Sequence, residues 1–406
     1  MATPDDAGDK KRSRRRFMKW AGGSLAAGTA AVALGGAAVG LLSAHIQKAD
    51  AIPNAQTATS AASATPSSSS SDSTASNPAA ALAEGTFSIF WITDTQFLSE
   101  SNPALFKMTN NWIVENWARF NGKMVIHTGD LVQTGAIEQE WLNADDAMSV
   151  FAANGIPYTW CAGNHDDLVQ DEATSGWKGN VWTSSLDPSA AGRAVNAVPY
   201  ARWVGDYHDG MNTAVSFSAS GLDFLIVSIE WNAQPDVLEW ARGILDDPSL
   251  GDHHVIVAPH AYIDAYGSLN DPRWGATLAH FTDGLTKLLD DHSSNVFLTL
   301  NGHFATECGY NTPLPINDRN QLMFDRQDCA DAPGDLLGRG VDDGSPNDTD
   351  KVGGATVTVL TFDPIVNQIR ARTYDVYRAK WRTTSTEQYA IHMLPNVVRK
   401  LQTTVQ

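Results

Sequence analysis

Six apolar runs in this chain end in groups that can bind a proton or a cation. "FSIFWITDTQ" (87–96) delivers Asp94 and Gln96, "KMVIHTGDLVQ" (123–133) delivers Asp130, and "PYTWCAGNHDD" (157–167) delivers Asn164 and His165. "DFLIVSIEW" (223–231) ends in Glu230, "HHVIVAPHAY" (253–262) in His260 and "NVFLTLNGHFA" (295–305) in His303. One strand ending in Asp means little, because Asp is common in turns. A succession of such ends is different. Two carboxylates, an amide and several imidazoles gathered in one crevice are costly unless a cation neutralises and coordinates them. Mixed oxygen and nitrogen ligands suit Zn, Fe or Mn rather than a thiolate-bound metal. The pattern therefore predicts a metal site with hydrolytic chemistry.

The elements between these runs must bring their ends together. Residues 104–119 carry Leu105, Met108, Trp112, Ile113 and Trp117 at helical spacing. Residues 137–153 carry Ile137, Trp141, Leu142, Met148 and Val150, and 236–246 and 276–290 look similar. Strands alternating with helices predict an α/β architecture with largely parallel pairing. In such folds ligand sites form beyond the carboxyl ends of the strands. "ATVTVLTFDPIVNQIRARTYDVY" reads as a closing antiparallel hairpin. One domain of about 320 residues, spanning 85–406, is the simplest organisation.

Composition narrows the partners. The chain has 406 residues, 43% of them hydrophobic, and can bury a sizeable core. Its net charge of −18 argues against nucleic acid, which is held by clustered Lys and Arg. Three cysteines are too few for a disulfide scaffold or a cysteine zinc cluster. Cys161 reads as a small buried residue, and Cys308 and Cys329 would be free to bridge in an exported protein.

The blocks at these strand ends resemble the calcineurin-like metallophosphoesterase superfamily. "GDLVQ" (129–133) is similar to its Gly-Asp block, and "GNHD" (163–166) to its most specific block. "APH" (258–260) and "NGH" (301–303) match its isolated and late histidines, and "TDTQ" (93–96) stands at its opening block. The resemblance runs across roughly residues 87–380. It implies a four-layer α/β/β/α sandwich with a single catalytic domain and divalent metals at its edge. It implies that Asp130 bridges two metals, that Asn164, His260 and His303 complete one, and that Asp94 and Gln96 hold the other. His165 would be catalytic from outside the metal shell, as an acid or as a donor to the phosphoryl oxygen or leaving group. The implied activity is hydrolysis of a small phosphomonoester or phosphodiester by metal-activated hydroxide.

The chain departs from the family in two places. Gln96 replaces the opening histidine, and Ala305 replaces the final one. Both losses fall on the metal held by Asp94, which would then be bound weakly by oxygen, as Mg or Mn, or be absent. Glu307 shares the strand parity of 303 and 305. The alternative reading is a non-catalytic protein of the same fold that binds phosphate or another ligand through one metal.

Residues outside the motifs get plainer expectations. His127 is expected behind the ligands or in the core, and His253 and His254 at the surface. Glu230 and Trp231 are expected along the cleft. The segments 168–215 and 309–350 are expected as long loops walling that cleft. Arg193, Arg202 and Arg326 are candidate phosphate or carboxylate contacts by residue type alone, and "VDDGSPNDTDK" (341–351) reads as a solvated loop.

The first 84 residues read as address and tether. Ser13, Arg14, Arg15, Phe17 and Lys19 precede an uncharged run from Trp20 to Ala44 rich in Ala and Gly. This resembles a bacterial twin-arginine export signal, with a plain membrane anchor as the competing reading. "ADA" (49–51) is an acceptable cleavage site, which makes 1–51 the signal peptide. Residues 55–80, nearly all Ala, Ser, Thr and Pro, cannot bury a core, and 52–84 reads as a disordered linker. The expected location is outside the cytoplasmic membrane, secreted or held at the cell envelope, and the export machinery is the partner during translocation.

Overall fold

The computed structural model describes residues 84–166, 186–264, 266–269, 275–304, 310–311, 319–327 and 355–393. All of them belong to the compact unit Ser69–Gln406. The expected signal, the linker, Ala305, Glu307, Cys308, Cys329 and the acidic stretch 341–351 lie outside the described residues.

Two seven-stranded sheets form the centre. In the first, β1 (Phe87–Ile92) lies parallel to β2 (Gly122–His127), which lies parallel to β3 (Tyr158–Trp160). On its other side β1 pairs antiparallel with β11 (Thr356–Asp363), followed by β12 (Gln368–Asp375) with β13 (Lys380–Trp381) and β14 (Gln388–His392). The second sheet runs β4 (Ala201–Tyr207), β5 (Asn212–Ala219), β6 (Leu222–Ile229), β7 (His254–Pro259), β8 (Val296–Asn301), β10 (Asn320–Met323) and β9 (Tyr310–Asn311). From β6 to β10 its pairs are parallel.

Alternation along β1 shows how the layers form. Phe87, Ile89 and Trp91 enter the core between the sheets, where Phe217, Phe224, Ile256 and Leu298 meet them. Phe90 and Ile92 point the other way. They pack under α1 (Gln96–Ser101), α2 (Pro103–Asn116) and α3 (Glu138–Ala153), whose contributions include Leu98, Phe106, Ile113 and Trp141. Beyond β3, α4 (Pro188–Asn196) is capped by Asp187, which accepts from the Ser189 and Ala190 N–H groups at 2.7 and 3.1 Å. On the far face, α5 (Pro235–Leu245) and α6 (Gly275–Asp291) cover Leu225, Val227 and Ile229 of the second sheet. Two sheets between two helical layers are the expected α/β/β/α sandwich.

Three expectations change. Pairing is mixed rather than largely parallel, because hairpins extend both sheets outward from their parallel centres. Segment 168–215 is not one loop: residues 188–215 form α4, β4 and the start of β5, while 167–185 lie outside the described residues. His254 is not at the surface. It opens β7 and is buried against Phe224 and Phe297, with ring centroids 5.7 and 6.2 Å away. Cys161 is buried, as expected.

Among the described residues no helix is long and apolar enough to cross a membrane.

Candidate metal centre

Parallel pairing puts the chemistry at one edge. Ile92 stands beside His127, Ile229 beside Pro259 and Met323 beside Asn301, so the chain leaves neighbouring strands at the same level. Backbone bonds then tie the ends together. The Asp94 N–H donates to the Gly129 carbonyl, Gly302 to His260 and Trp231 to Ala162, each at 3.0 Å. The last of these joins the two sheets.

The turns at this edge are tight. Asp94, Asp130 and His303 have φ of 50°, 55° and 74°, in the left-handed region that non-glycine residues rarely adopt. Each such conformation costs roughly 1–3 kcal/mol and persists only where the surroundings hold it. Two glycines make room. A Cβ on Gly163 would lie 2.0 Å from Asp130 Oδ1, and one on Gly302 would lie 2.0 Å from Asp94 Oδ2.

Asp130, His260 and His303 each offer a ligand atom within 4.8 Å of the others. Asn164 completes the group. Its Oδ1 lies 3.0 Å from His260 Nε2 and 2.9 Å from His303 Nδ1. The His260 contact decides the chemistry. His260 Nδ1 is 2.8 Å from the Thr128 carbonyl, which can only accept, so Nδ1 carries the proton. Burial holds the imidazole pKa below its usual range, so the ring is neutral and Nε2 presents a lone pair. A lone pair facing an amide oxygen at 3.0 Å is repulsive unless a cation stands among them. These residues therefore fit a divalent ion held by Asp130, Asn164, His260 and His303.

Asp94 and Gln96 adjoin this group but engage it differently. Asp94 is fully buried and accepts from the His303 N–H at 3.1 Å and from Thr93 Oγ1 at 2.5 Å. Behind it, Trp91 Nε1 donates to Thr128 Oγ1 (3.0 Å), and Thr128 donates to Thr93 (2.6 Å). Burial first, then repulsion from Asp325 and Asp130, pushes the Asp94 carboxyl well above the usual range. Gln96 donates from Nε2 to Asp130 Oδ2 at 3.1 Å, and its buried Oε1 has no hydrogen-bond partner. That orphaned oxygen also fits a cation.

His165 stands at the rim, half-buried. Its N–H donates to Asp130 Oδ1 at 2.9 Å, and its Nδ1 donates to the Gln133 carbonyl at 2.9 Å. Nε2 is therefore the atom left to exchange a proton.

Several further residues hold the site. Asp166 accepts from the N–H groups of Leu131, Val132 and Gly163 at 2.8–3.0 Å, clamping the two central loops together. His127 is buried, with Nε2 2.9 Å from Thr95 Oγ1, and burial first, then the neighbouring His260 imidazole, holds its pKa down at about 3. It is a supporting residue, as expected. Trp231 walls the imidazoles, 4.3 Å from His303 and 5.9 Å from His260 between ring centroids. Glu230 does not line the cleft: it is buried, and binds Asn212 Nδ2 at 2.8 Å and His208 Nδ1 at 3.1 Å. Asp325, buried two residues beyond β10, is a strand-end carboxylate that the sequence reading missed. Its signal was the same one, since "NQLMFD" (320–325) is an apolar run with a carboxylate tip.

None of the three candidate arginines joins the cluster. Arg326 is buried and ion-paired with Glu387, which also binds Arg382. Arg193 lines a cavity of about 720 Å3 with Asp187, Trp203, Asp206 and Asp209, none of which is a cluster residue. Arg202 is exposed on β4.

Fold and site together define a two-sheet sandwich with a metal-ligand cluster beyond its parallel strands. Residues 87–273 match the family model described as calcineurin-like phosphoesterase, which supports that superfamily for this domain. The uncharacterized protein YvnB of Bacillus subtilis (strain 168) is 27% identical over 222 residues, 55% of this chain and 16% of that protein. The chain thus spans about a sixth of the length of the curated relative it matches. Among solved structures it is similar to purple acid phosphatase PPD1 from yellow lupin (Lupinus luteus) seeds. That likeness has a TM-score of 0.43 and 14% identity, over 77% of this chain and 55% of that one. It is also similar to GAP50, the anchor in the inner membrane complex of Plasmodium, with a TM-score of 0.44 and 13% identity over 79% and 95% of the two chains.

Proposed function

We propose that this protein is a metal-dependent phosphoesterase that hydrolyses a small phosphomonoester or phosphodiester. The observation that carries the reading is the neutral His260 imidazole facing the Asn164 oxygen above Asp130, an arrangement that calls for a divalent cation. Zn, Fe or Mn suits this mixed donor set. Such an ion, when bound, lowers the pKa of water and offsets charge that develops on phosphoryl oxygens.

The chain's own residues supply the rest. Asp130 and Asn164 orient the donor set, and the Thr128 carbonyl keeps His260 in the tautomer that can ligate. Trp231 excludes water from one side of the imidazoles. His165, anchored through Nδ1, presents Nε2 to deliver a proton to the departing alkoxide oxygen. In the test, metal-loaded protein is assayed against aryl phosphomonoesters and bis-aryl phosphodiesters. Hydrolysis is expected on one of them, with Asp130→Asn slower by roughly 100-fold or more. Equal rates for Asp130→Asn and the unaltered protein would sink the reading.

One observation favours a second reading, a non-catalytic single-metal protein that binds phosphate or another ligand. Gln96 occupies Asp130 Oδ2, the oxygen a second metal would share. One tightly bound ion, no turnover with added Mn2+ or Mg2+, and stabilisation by inorganic phosphate would establish it.

Export belongs to the same proposal, on the strength of Arg14, Arg15 and the apolar run behind them. With both arginines changed to Lys, the protein is expected to accumulate in the cytoplasm on cell fractionation. Unchanged export would refute the twin-arginine route.

A further inference from the structure

The indole that walls the imidazoles is held from behind. Trp231 lies 4.3 Å from His303 and 5.9 Å from His260 between ring centroids. The residue before it, Glu230, turns to the connection between β4 and β5 instead. Glu230 is 2% exposed, and a carboxylate this deep is costly unless it is well bonded. Its N–H donates to Asn212 Oδ1 at 2.8 Å, and Asn212 Nδ2 donates back to its Oε2 at 2.8 Å. Its Oε1 lies 3.1 Å from His208 Nδ1. His208 is itself anchored, with Nε2 3.2 Å from Asp236 Oδ2, which also accepts from the Tyr207 hydroxyl at 3.2 Å. The turn that supplies these partners is tight. His208, Asp209 and Gly210 have φ of 51°, 51° and 91°, a conformation that non-glycine residues keep only where their surroundings impose it.

Backbone bonds carry this hold to the metal centre. The Ala162 N–H donates to the Met211 carbonyl at 2.9 Å, and the Trp231 N–H donates to the Ala162 carbonyl at 3.0 Å. Ala162 stands two residues before Asn164. On the other side, the His260 N–H donates to the Ile229 carbonyl at 3.0 Å. The chain around Trp231 is therefore bonded at Ile229, Glu230 and Trp231 itself, which leaves the indole little freedom against the His303 ring. An imidazole that must aim a lone pair at an ion gains affinity from whatever fixes its orientation. We propose that Glu230, clamped by His208 and Asn212, is a positioning residue for the metal centre and acts through Trp231 on the His303 imidazole. The proposal rests on the metal-centre reading of Asp130, Asn164, His260 and His303, and it is tested by ion binding rather than by turnover.

Chelator-stripped protein is titrated with Zn2+ by calorimetry, alongside Glu230→Ala, Trp231→Ala and the double variant. Each single change should weaken Zn2+ binding by roughly tenfold, as the loss of an outer partner does. The double variant should lose about as much as either alone, because both changes remove the same constraint. Glu230→Gln keeps the shape, an acceptor for Asn212 and a donor for a neutral His208, so it should recover most of the affinity. A merely structural Glu230 would lower the melting temperature of Glu230→Ala and leave Zn2+ binding intact. That result overturns the proposal, and so does a loss that adds in full to that of Trp231→Ala. If Glu230→Ala does not fold, Asn212→Ala takes its place under the same criteria. Unaltered protein that binds no Zn2+ overturns the metal centre and this proposal together. Tight Zn2+ binding with the expected losses but no hydrolysis leaves Glu230 as a positioning residue and refutes only the phosphoesterase.

Discussion

At the scale of single residues, the site depends on groups that give way. Gly163 and Gly302 are small because the Asp130 and Asp94 carboxylates lie against the backbone there, and a methyl group on Gly302 would meet Asp94 Oδ2 at 2.0 Å and Thr93 Oγ1 at 2.2 Å.

 Both neighbours are buried, so neither can move aside cheaply. Gly302→Ala is expected to destabilise the fold by about 1–3 kcal/mol and to weaken metal binding at least tenfold. Denaturant unfolding and metal titration check the two effects, and wild-type affinity in the variant would show that Asp94 has other room.

At the scale of elements, His208 joins three of them. It follows β4, its Nδ1 meets Glu230 at the end of β6 (3.1 Å), and its Nε2 meets Asp236 in the first turn of α5 (3.2 Å). The hydrogen bond to Glu230 is the leading cause that raises its pKa above the usual histidine value. A raised folded-state pKa means that this contribution to stability is fully present below about pH 6.5. It is lost as pH rises through the higher folded value. The melting temperature is therefore expected to fall across that interval, and His208→Gln should flatten the fall. A variant with the same pH slope as wild type would remove His208 from the explanation.

At the scale of the whole molecule, the metal centre lies where the two sheets meet. An ion that binds only the folded chain stabilises it by about 2.7 kcal/mol at a hundredfold excess over its dissociation constant. For a domain of this size that corresponds to a rise of several degrees in melting temperature. Chelation should reverse it, and Mn2+ or Zn2+ should restore it, as followed by calorimetry. A melting temperature indifferent to chelator would mean that the buried carboxylates of Asp94 and Asp130 are tolerated without a cation.

Much of this protein is written in local chemistry. Alternation along "FSIFWI" and the turn residues after each apolar run are short-range signals, so the four helical segments, the central strands, the closing hairpin and the ends bearing Asp94, Asp130, Asn164, His260 and His303 follow from the sequence by itself. Only the tertiary structure decided which ends are neighbours. Strand-end packing brought Asn164 onto His260 and His303, from 96 and 139 positions away in the chain. Packing turned Glu230 away from the cleft toward His208 and Asn212, and tied Arg326 to Glu387. It also set the Gln96 amide on Asp130 and left its oxygen without a donor. The physical reason is range. A turn or a strand is fixed by residues a few positions apart, whereas a ligand set is fixed by strand order and register, which emerge only when the whole core packs.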